Sequence, residues 1–303
     1  MLRRSGRRPS LGSLTLALGP LIGLGCQDRT EPPPPPAEAP ASAPTSGPAA
    51  APTDAHEATG PLSEAEFAAL HAMKEGEAPK LEGETIEVGG SRAYLSLPDG
   101  AEAPLPAVLV IHEWWGLNDH IRHYADRIAA EGYAALAIDL YGGKTASEPE
   151  TAMKYMKSVD AGEAEKVVAA GLELLRTDDR VKAPKVGSIG WCFGGAWSLR
   201  TALLDEELDA AIIYYGPPVT EVRKLETIGA DLLAFYGEQD GSIPMEKVKA
   251  FEAALEKAGV DATVHTYDAG HAFANPSGAN YVPEHAADAW TKATAFLDEK
   301  LTP

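Results

Sequence analysis

From residue 81 onward, short apolar runs alternate with segments in which apolar positions recur every three or four residues. The short runs predict buried strands, and the segments with helical periodicity predict amphipathic helices. Alternation of this kind is typical of a mostly parallel sheet that is covered by helices on both faces. We therefore expect residues 81–303 to form one α/β domain.

The elements that this pattern predicts begin with a hairpin, ETIEVGGSRAYLSLP, whose turn contains two glycines. The segments that follow, in chain order, are strand PAVLVIHE, helix DHIRHYADRIAAEG, strand YAALAIDL, helical residues 148–178, strand KVGSIGW, helix GGAWSLRTALL, strands LDAAIIYYG and DLLAFYGEQD, helix PMEKVKAFEAALEKAG, strand ATVHTYDA and helix PEHAADAWTKATAFLDEK. Within 148–178 we expect Gly171 to interrupt the helix mildly, because glycine is a poor helix former.

The first 25 residues have a different character. MLRRSGRRPS carries four arginines and no acidic residue, and it precedes the apolar run LGSLTLALGPLIGLG. That run is too short to predict a membrane span, and the combination is typical of a secretory signal peptide. Cys26 follows directly, which resembles the lipobox of bacterial lipoproteins, in which that cysteine is acylated and becomes the mature N-terminus. Ordinary signal cleavage and an uncleaved anchor are the alternatives.

Residues 26–61 are rich in Pro, Ala, Ser and Thr and contain almost no large apolar side chain. Such a segment cannot bury enough surface to offset the entropy of ordering, so we expect a disordered tether. Residues 62–80 predict a short helix, with Ser63 as its N-cap, and a linker. We expect an exported protein that is anchored by Cys26 and faces the periplasm or the cell surface. By resemblance to lipoprotein sorting, Gln27 favours the outer membrane.

The formal net charge of −19 and the isoelectric point near 4.8 argue against a nucleic-acid partner. Phosphate backbones are bound by basic surfaces, and this chain has 45 acidic against 26 basic residues. We expect a monomer that acts on a small molecule and touches a membrane only through its anchor.

The segment GWCFGG, residues 190–195, is the most informative short stretch. It lies where a predicted strand becomes a predicted helix, in the pattern G-x-S-x-G with cysteine in place of serine. A nucleophile on such a turn is lifted out of the sheet, and the following helix N-terminus stabilises its negative charge. A buried structural cysteine is the alternative that these residues alone leave open.

Two later segments favour the catalytic interpretation. Asp240 ends the strand DLLAFYGEQD, and His271 follows the strand ATVHTYDA. Nucleophile, acid and histidine then stand in the chain order of an α/β-hydrolase, all at carboxyl ends of strands. A histidine can accept the thiol proton of Cys192, and an aspartate can fix the histidine tautomer. We therefore predict a Cys192–His271–Asp240 triad.

The domain resembles the dienelactone hydrolase family of α/β-hydrolases. The segments that carry the resemblance are VIHEWWGLNDHIR, DLYGG, GWCFGG, GEQD and GHAF, in this order. The resemblance implies hydrolysis of an ester or lactone through an acyl-enzyme, without a cofactor. It also implies that Glu113 contacts the resting thiol and is displaced by substrate, and that backbone N–H groups at Trp114 and Phe193 form an oxyanion hole.

The chain departs from that family at positions that concern substrate. Dienelactone-cleaving members commonly continue the histidine motif to an arginine that binds the substrate carboxylate, and Asn275 stands at that place here. Lys144 and Tyr155 are the only candidates for a second arginine and a tyrosine, and neither aligns convincingly. Five aromatic residues are candidates both for a substrate pocket and for core packing: Trp114, Trp115, Tyr141, Trp191 and Phe273.

Other chemistries find less support in the sequence. HEWWG lacks the second histidine of a zinc-protease helix, so we expect no metal site, and no phosphate-binding glycine loop is present. Two functions remain as alternatives to a lactone hydrolase. One is a broad carboxylesterase or thioesterase, which Asn275 favours, and the other is a non-catalytic binding module, against which the complete triad argues.

Overall fold

A computed structural model describes residues 80–302. The predicted signal peptide, Cys26, the tether and the helix beginning near Ser63 lie outside the described residues. Their assignments stay predictions.

Eight strands form a single sheet. They are β1 (Glu84–Val88), β2 (Ser91–Ser96), β3 (Ala107–Ile111), β4 (Ala134–Ile138), β5 (Val186–Trp191), β6 (Ala210–Tyr214), β7 (Asp231–Gly237) and β8 (Ala262–Tyr267). Their order across the sheet is β1-β2-β4-β3-β5-β6-β7-β8. The β1–β2 hairpin is antiparallel, β2 pairs antiparallel with β4, and the strands from β4 to β8 in this order pair in parallel. The mostly parallel sheet predicted from the sequence is confirmed.

The helices of the described region connect these strands. They are α1 (Asp119–Ala130), α2 (Pro149–Lys157), α3 (Ala161–Thr177), α4 (Phe193–Leu204), the single turn α5 (Val222–Leu225), α6 (Met245–Ala258) and α7 (Pro283–Leu301). They cover both faces of the sheet. Successive side chains along each strand point to opposite faces, so each strand contributes apolar residues to both layers. On β3, Leu109 and Ile111 belong to a buried apolar cluster that includes residues of α3, α4 and α6, whereas Val108 and Val110 belong to a second cluster that includes residues of α1 and α7.

Residues 148–178 form two helices, and the helix that contains Gly171 is not interrupted there. The break falls at residues 158–160, where Asp160 caps α3 by accepting a hydrogen bond from the backbone N–H of Glu163 at 3.0 Å. Gly171 lies within α3 and is buried. A Cβ at this glycine would stand 2.9 Å from Leu109 Cδ1, so the missing side chain lets the helix approach the sheet.

The turn α5 is the one element of the described chain that the periodicity did not predict. Four residues are too few to display a helical repeat, and the turn is fixed by Leu225, which is fully buried. Across residues 80–302, no helix combines the length and the apolar character that crossing a membrane requires.

Candidate active site

Cys192 stands on a sharp turn between β5 and α4, near the middle of the sheet. Its backbone has φ 53° and ψ −112°, a combination that non-glycine residues rarely adopt. Its backbone N–H donates to the carbonyl of Tyr214 at 2.9 Å, which ties the turn to the neighbouring strand β6. The side chain is half-buried. A strained backbone therefore holds the partly exposed thiol at the carboxyl end of β5.

The glycines of GWCFGG are required by close backbone contacts. A Cβ at Gly190 would lie 2.1 Å from the carbonyl oxygen of Gly194, and a Cβ at Gly194 would lie 2.1 Å from that of Ile111. One at Gly195 would lie 2.6 Å from the carbonyl of Tyr214. Only glycine fits at these positions, and the start of α4 therefore rests directly on the carboxyl ends of β3 and β6.

The structure places His271 against Asp240, as predicted from their positions at strand ends. The Nδ1 atom of His271 is 2.6 Å from Oδ2 of Asp240, which is buried. The other oxygen of Asp240 accepts from the backbone N–H groups of Ser242 at 2.7 Å and Ile243 at 3.0 Å. Because one carboxylate oxygen is held by the backbone, the other is fixed in the direction of the imidazole.

Cys192 also acts on the imidazole of His271, so His271 interacts with both of the other predicted residues. Burial disfavours the charged imidazole, but the hydrogen bonds with Asp240 and Cys192 outweigh it and raise the pKa of His271 to about 10. At neutral pH the arrangement therefore favours an imidazolium. The pKa of Asp240 is lowered, because its hydrogen bond with His271 and its backbone donors outweigh the effect of burial.

Glu113 is the second residue after β3, and the pairing of β3 with β5 places it near the turn at residues 190–195 that carries Cys192, here called the elbow. It is only 3% exposed, and its Oε2 accepts from the side-chain amide of Asn275 at 2.6 Å. Its Oε1 lies 3.4 Å from the hydroxyl of Tyr215. Burial raises the pKa of Glu113 to about 7, even though His271 and both hydrogen bonds act to lower it.

Tyr215 is a residue of this site that the sequence analysis did not identify. It follows β6, is fully buried, has φ 37° and packs edge-on against the ring of His271 at 5.2 Å. A tyrosine that ends an apolar strand gives no signal in the periodicity, because it satisfies the same pattern as a core residue. The backbone conformation of Tyr215 is what indicates that it belongs to the site. Four non-glycine residues in 80–302 have a positive φ, and three of them are Cys192, Tyr215 and Ala272, which is the neighbour of His271.

The two backbone groups predicted for an oxyanion hole lie on the segments that frame the thiol. Phe193 is the first residue of α4, a position whose N–H has no acceptor within the helix. Trp114 lies in the turn closed by the hydrogen bond from Gly116 N to Glu113 O at 3.2 Å. The close approach of Gly194 to the carbonyls of Ile111 and His112 brings these two segments together.

The residues predicted for substrate binding lie in different environments. Trp115 is half-buried beside Trp114, with ring centroids 5.0 Å apart. Trp191 and Phe273 are completely or almost completely buried, and Trp191 stacks on Tyr124 at 4.2 Å, so core packing accounts for their contacts. Asn275 is buried too, and its amide is directed at Glu113.

Two cavities lie near residues that contact the elbow or the imidazole. One of about 300 Å³ is lined by Tyr141, Tyr155 and Lys144 together with the start of α3, and the ring of Tyr141 packs 5.4 Å from that of Phe193. The other, of about 580 Å³, is lined by His271, Asn280 and Tyr281. A molecule that occupied either cavity would lie next to a residue in contact with the elbow or the imidazole.

Comparison with known proteins agrees with this geometry. The profile of the dienelactone hydrolase family matches residues 91–301. Protein usf of Aquifex pyrophilus is 34% identical over 220 residues, which span 70% of this chain and 94% of that protein. A protein of Aquifex aeolicus named "Putative carboxymethylenebutenolidase" is 32% identical over 221 residues, covering 69% of this chain and 94% of its own length.

Solved structures give the same result. A dienelactone hydrolase-like promiscuous phosphotriesterase, P91, from metagenomic libraries superposes with a TM-score of 0.67 and 27% identity, over 72% of this chain and 98% of P91. The structure titled m3DLH gives a TM-score of 0.66 and 28% identity, over 73% and 98%. The family match, the relatives and the sheet topology lead to one conclusion: the chain belongs to the dienelactone hydrolase family of α/β-hydrolases and is a carboxylic ester hydrolase.

Proposed function

We propose that this hydrolase cleaves its ester or lactone by nucleophilic catalysis at Cys192, through a thioester acyl-enzyme. The observation that carries the proposal is the contact of His271 Nδ1 with the buried carboxylate of Asp240 at 2.6 Å, together with the interaction of the same imidazole with Cys192. Because Nδ1 is occupied by Asp240, the Nε2 side of the ring is the one available to exchange protons with the thiol and the leaving group.

In the first half-reaction the thiolate of Cys192 attacks the carbonyl carbon, an Sγ–C bond forms, and the carbonyl electron pair moves to oxygen. The backbone N–H groups of Trp114 and Phe193 stabilise the resulting oxyanion. When the oxyanion collapses, the C–O bond of the ester breaks and the imidazolium of His271 protonates the departing alkoxide. In a lactone, that alcohol stays attached to the acyl group.

In the second half-reaction a water molecule attacks the thioester while Nε2 of His271 takes its proton. Collapse of the second oxyanion expels the thiolate of Cys192 and releases the carboxylic acid. The proton remains on the imidazole, so the thiolate–imidazolium pair is regenerated for the next cycle. Asp240 holds the ring in one tautomer throughout, and its negative charge stabilises the imidazolium.

We assign to Glu113 the role of controlling the proton of the thiol when no substrate is bound. Support comes from its position at the end of β3 beside the elbow and from a pKa of about 7, which lets this carboxyl exchange a proton under neutral conditions. Its hydrogen-bond partners, Asn275 and Tyr215, are uncharged donors, and burial outweighs the effect of the charge on His271 that favours the ionised form.

The substrate class that the site favours is a neutral ester or lactone. A buried amide, Asn275, occupies the place at which the family resemblance implies an arginine for a substrate carboxylate, and that amide is engaged by Glu113. This observation favours the alternative of a broad carboxylesterase or thioesterase over a hydrolase dedicated to anionic dienelactones. A non-catalytic binding module has no comparable support, because it would not need the connected triad.

The proposal is tested with the full chain, Cys192→Ala, and Cys26→Ala as a control that removes the other cysteine. We expect Cys192→Ala to lose more than about 10³-fold in kcat on aryl esters and lactones. Cys26→Ala should retain the parental kcat, and iodoacetamide should inactivate the parent in step with alkylation of Cys192. Turnover that survives Cys192→Ala would overturn the mechanism, and rates on aryl esters, thioesters, neutral lactones and a dienelactone would rank the substrate classes.

Outside the described residues, we propose that the N-terminal 25 residues direct export and that Cys26 is lipidated and anchors a monomeric domain. The proposal depends on the sequence features described above. Intact-mass analysis of the mature N-terminus tests it: a diacylglyceryl cysteine is expected, and a free thiol at Cys26 would contradict it.

A further inference from the structure

His112 lies immediately before Glu113, and the mechanism above gives it no role. The side chain is completely buried at the carboxyl end of β3. Its Nδ1 atom is 2.6 Å from the carbonyl oxygen of Glu113, and its Nε2 atom is 3.1 Å from the backbone nitrogen of Leu140. One imidazole therefore joins the loop after β3 to the loop after β4.

These two contacts define which nitrogen of His112 carries the proton. The backbone N–H of Leu140 is a donor, so Nε2 must accept from it. A neutral imidazole has one donor and one acceptor, so Nδ1 carries the hydrogen and donates it to the Glu113 carbonyl. Burial lowers the pKa of His112, which favours this neutral form. Asp139 lies 3.9 Å from Nε2, and its carboxylate is engaged by the backbone N–H groups of Tyr141 and Gly143.

The carbonyl that His112 binds belongs to the peptide unit of the proposed oxyanion site. In a trans peptide the C=O and the N–H lie in one plane and point in opposite directions. A donor that fixes the carbonyl of Glu113 therefore also fixes the N–H of Trp114, on the side away from His112. The same carbonyl accepts from Gly116 N at 3.2 Å, which gives the peptide a second restraint.

The imidazole is itself held by the residue that supplies the other N–H. Its ring stacks on that of Phe193, with centroids 5.6 Å apart and planes inclined by 20°. The ring of Tyr141 packs edge-on at 4.6 Å. His112 thus touches both segments of the oxyanion site, and its orientation depends on the first residue of α4.

We propose that His112 is a positioning residue for the oxyanion site, because its Nδ1–H holds the Glu113–Trp114 peptide in the orientation that directs the Trp114 N–H at the developing charge. This inference rests on the proposed nucleophilic mechanism. His112 does not touch the reacting atoms, and its effect belongs to the transition state, where the oxyanion exists, rather than to substrate binding.

A pair of substitutions separates the two contacts of the ring. His112→Asn offers an amide N–H near the position of Nδ1 and gives up the acceptor for Leu140. His112→Gln offers a carbonyl oxygen near the position of Nε2 and gives up the donor to Glu113. We expect His112→Gln to lose about tenfold to hundredfold in kcat with KM nearly unchanged, whereas His112→Asn stays within about fivefold of the parent.

Affinity for a trifluoromethyl ketone that forms a hemithioketal with Cys192 should fall by the same factor as kcat/KM, because the adduct carries the oxyanion. The rate of alkylation by iodoacetamide, which forms no oxyanion, should be unchanged in both variants. Equal losses of kcat in the two variants, or no loss in either, would overturn the role of His112. Turnover that survives Cys192→Ala would show instead that the proposed mechanism has failed.

A measurement on the unsubstituted chain covers the case in which a variant does not fold. Nitrogen-15 NMR of the labelled imidazole distinguishes a protonated Nδ1 from a protonated Nε2. We expect a neutral ring with hydrogen on Nδ1 at neutral pH. Hydrogen on Nε2 would remove the donor to Glu113 and refute the inference.

Discussion

Glu113 gives the sharpest thermodynamic prediction, because it is a carboxyl group that is almost completely buried and has only neutral hydrogen-bond donors. Replacing it by glutamine keeps the shape of the side chain and an oxygen that can accept from Asn275. The substitution removes only the ability to ionise. The comparison of Glu113→Gln with the parent therefore isolates the free energy of placing a charge at this point.

The magnitude follows from the pKa of Glu113, which is about 7 in the folded chain against an ordinary value of 4.5. Between these two pH values the unfolded chain loses a proton that the folded chain keeps, so the stability of the parent falls as the pH rises. At about 1.4 kcal/mol per pH unit, the free energy of unfolding should decrease by about 3 kcal/mol through this group, and it should level off above pH 7.

The assay is urea unfolding followed by tryptophan fluorescence at several pH values from 4 to 8. The stability of Glu113→Gln relative to the parent should rise by about 3 kcal/mol across this range, with most of the change between pH 4.5 and 7. Glu87→Gln, at an exposed position of β1, controls for the loss of one negative charge. A difference between Glu113→Gln and the parent that stays constant with pH, or that falls as the pH rises, would refute the reasoning.

Two further predictions concern the triad and the elbow. Asp240→Asn should lower kcat by about 10³-fold or more and should also lower the pKa of His271. NMR titration of the imidazole measures that pKa. A value that stays near 10 would contradict the contact between His271 and Asp240. Gly194→Ala should prevent stable folding, because its Cβ would lie 2.1 Å from the carbonyl of Ile111. Gly241→Ala, whose Cβ would meet no atom within 4 Å, should have a free energy of unfolding within about 1 kcal/mol of the parent's. Equal stabilities of the two variants in urea would show that the elbow is not constrained.

Much of the fold could be predicted from periodicity, because strands buried on both faces are continuously apolar and the helices between them are amphipathic. Where prediction failed, the tertiary environment was responsible. Helix propensity alone predicts an interruption at Gly171, but in the structure this glycine permits close packing of α3 on Leu109. The turn at Val222–Leu225 is held by one buried leucine and has no repeat to reveal it.

The candidate site divides in the same way. Cys192, Asp240 and His271 were predicted from turn chemistry and chain order, and in the structure His271 contacts Asp240 at 2.6 Å and interacts with Cys192. Tyr215 was missed, because a tyrosine at the end of an apolar strand looks like a core residue until its positive φ and its contact with Glu113 are known.

Asn275 illustrates what a sequence position alone leaves undecided. From the sequence it was a candidate for binding substrate, and the structure shows its amide bound to Glu113 at 2.6 Å. That contact depends on two loops that lie far apart in the chain, after β3 and after β8. Similarly, the tautomer of His112 follows from a carbonyl one residue away and from an N–H in the loop after β4.

The sequence by itself determined the class of the fold, the position of the elbow and the chain order of the three residues proposed for catalysis, because local periodicity and glycine spacing act over a few residues. The tertiary structure decided which carboxylate oxygen faces which nitrogen and which carboxyl group is held away from water. Those properties depend on distances between separate strand ends and on burial, and neither is encoded in any single segment of the chain.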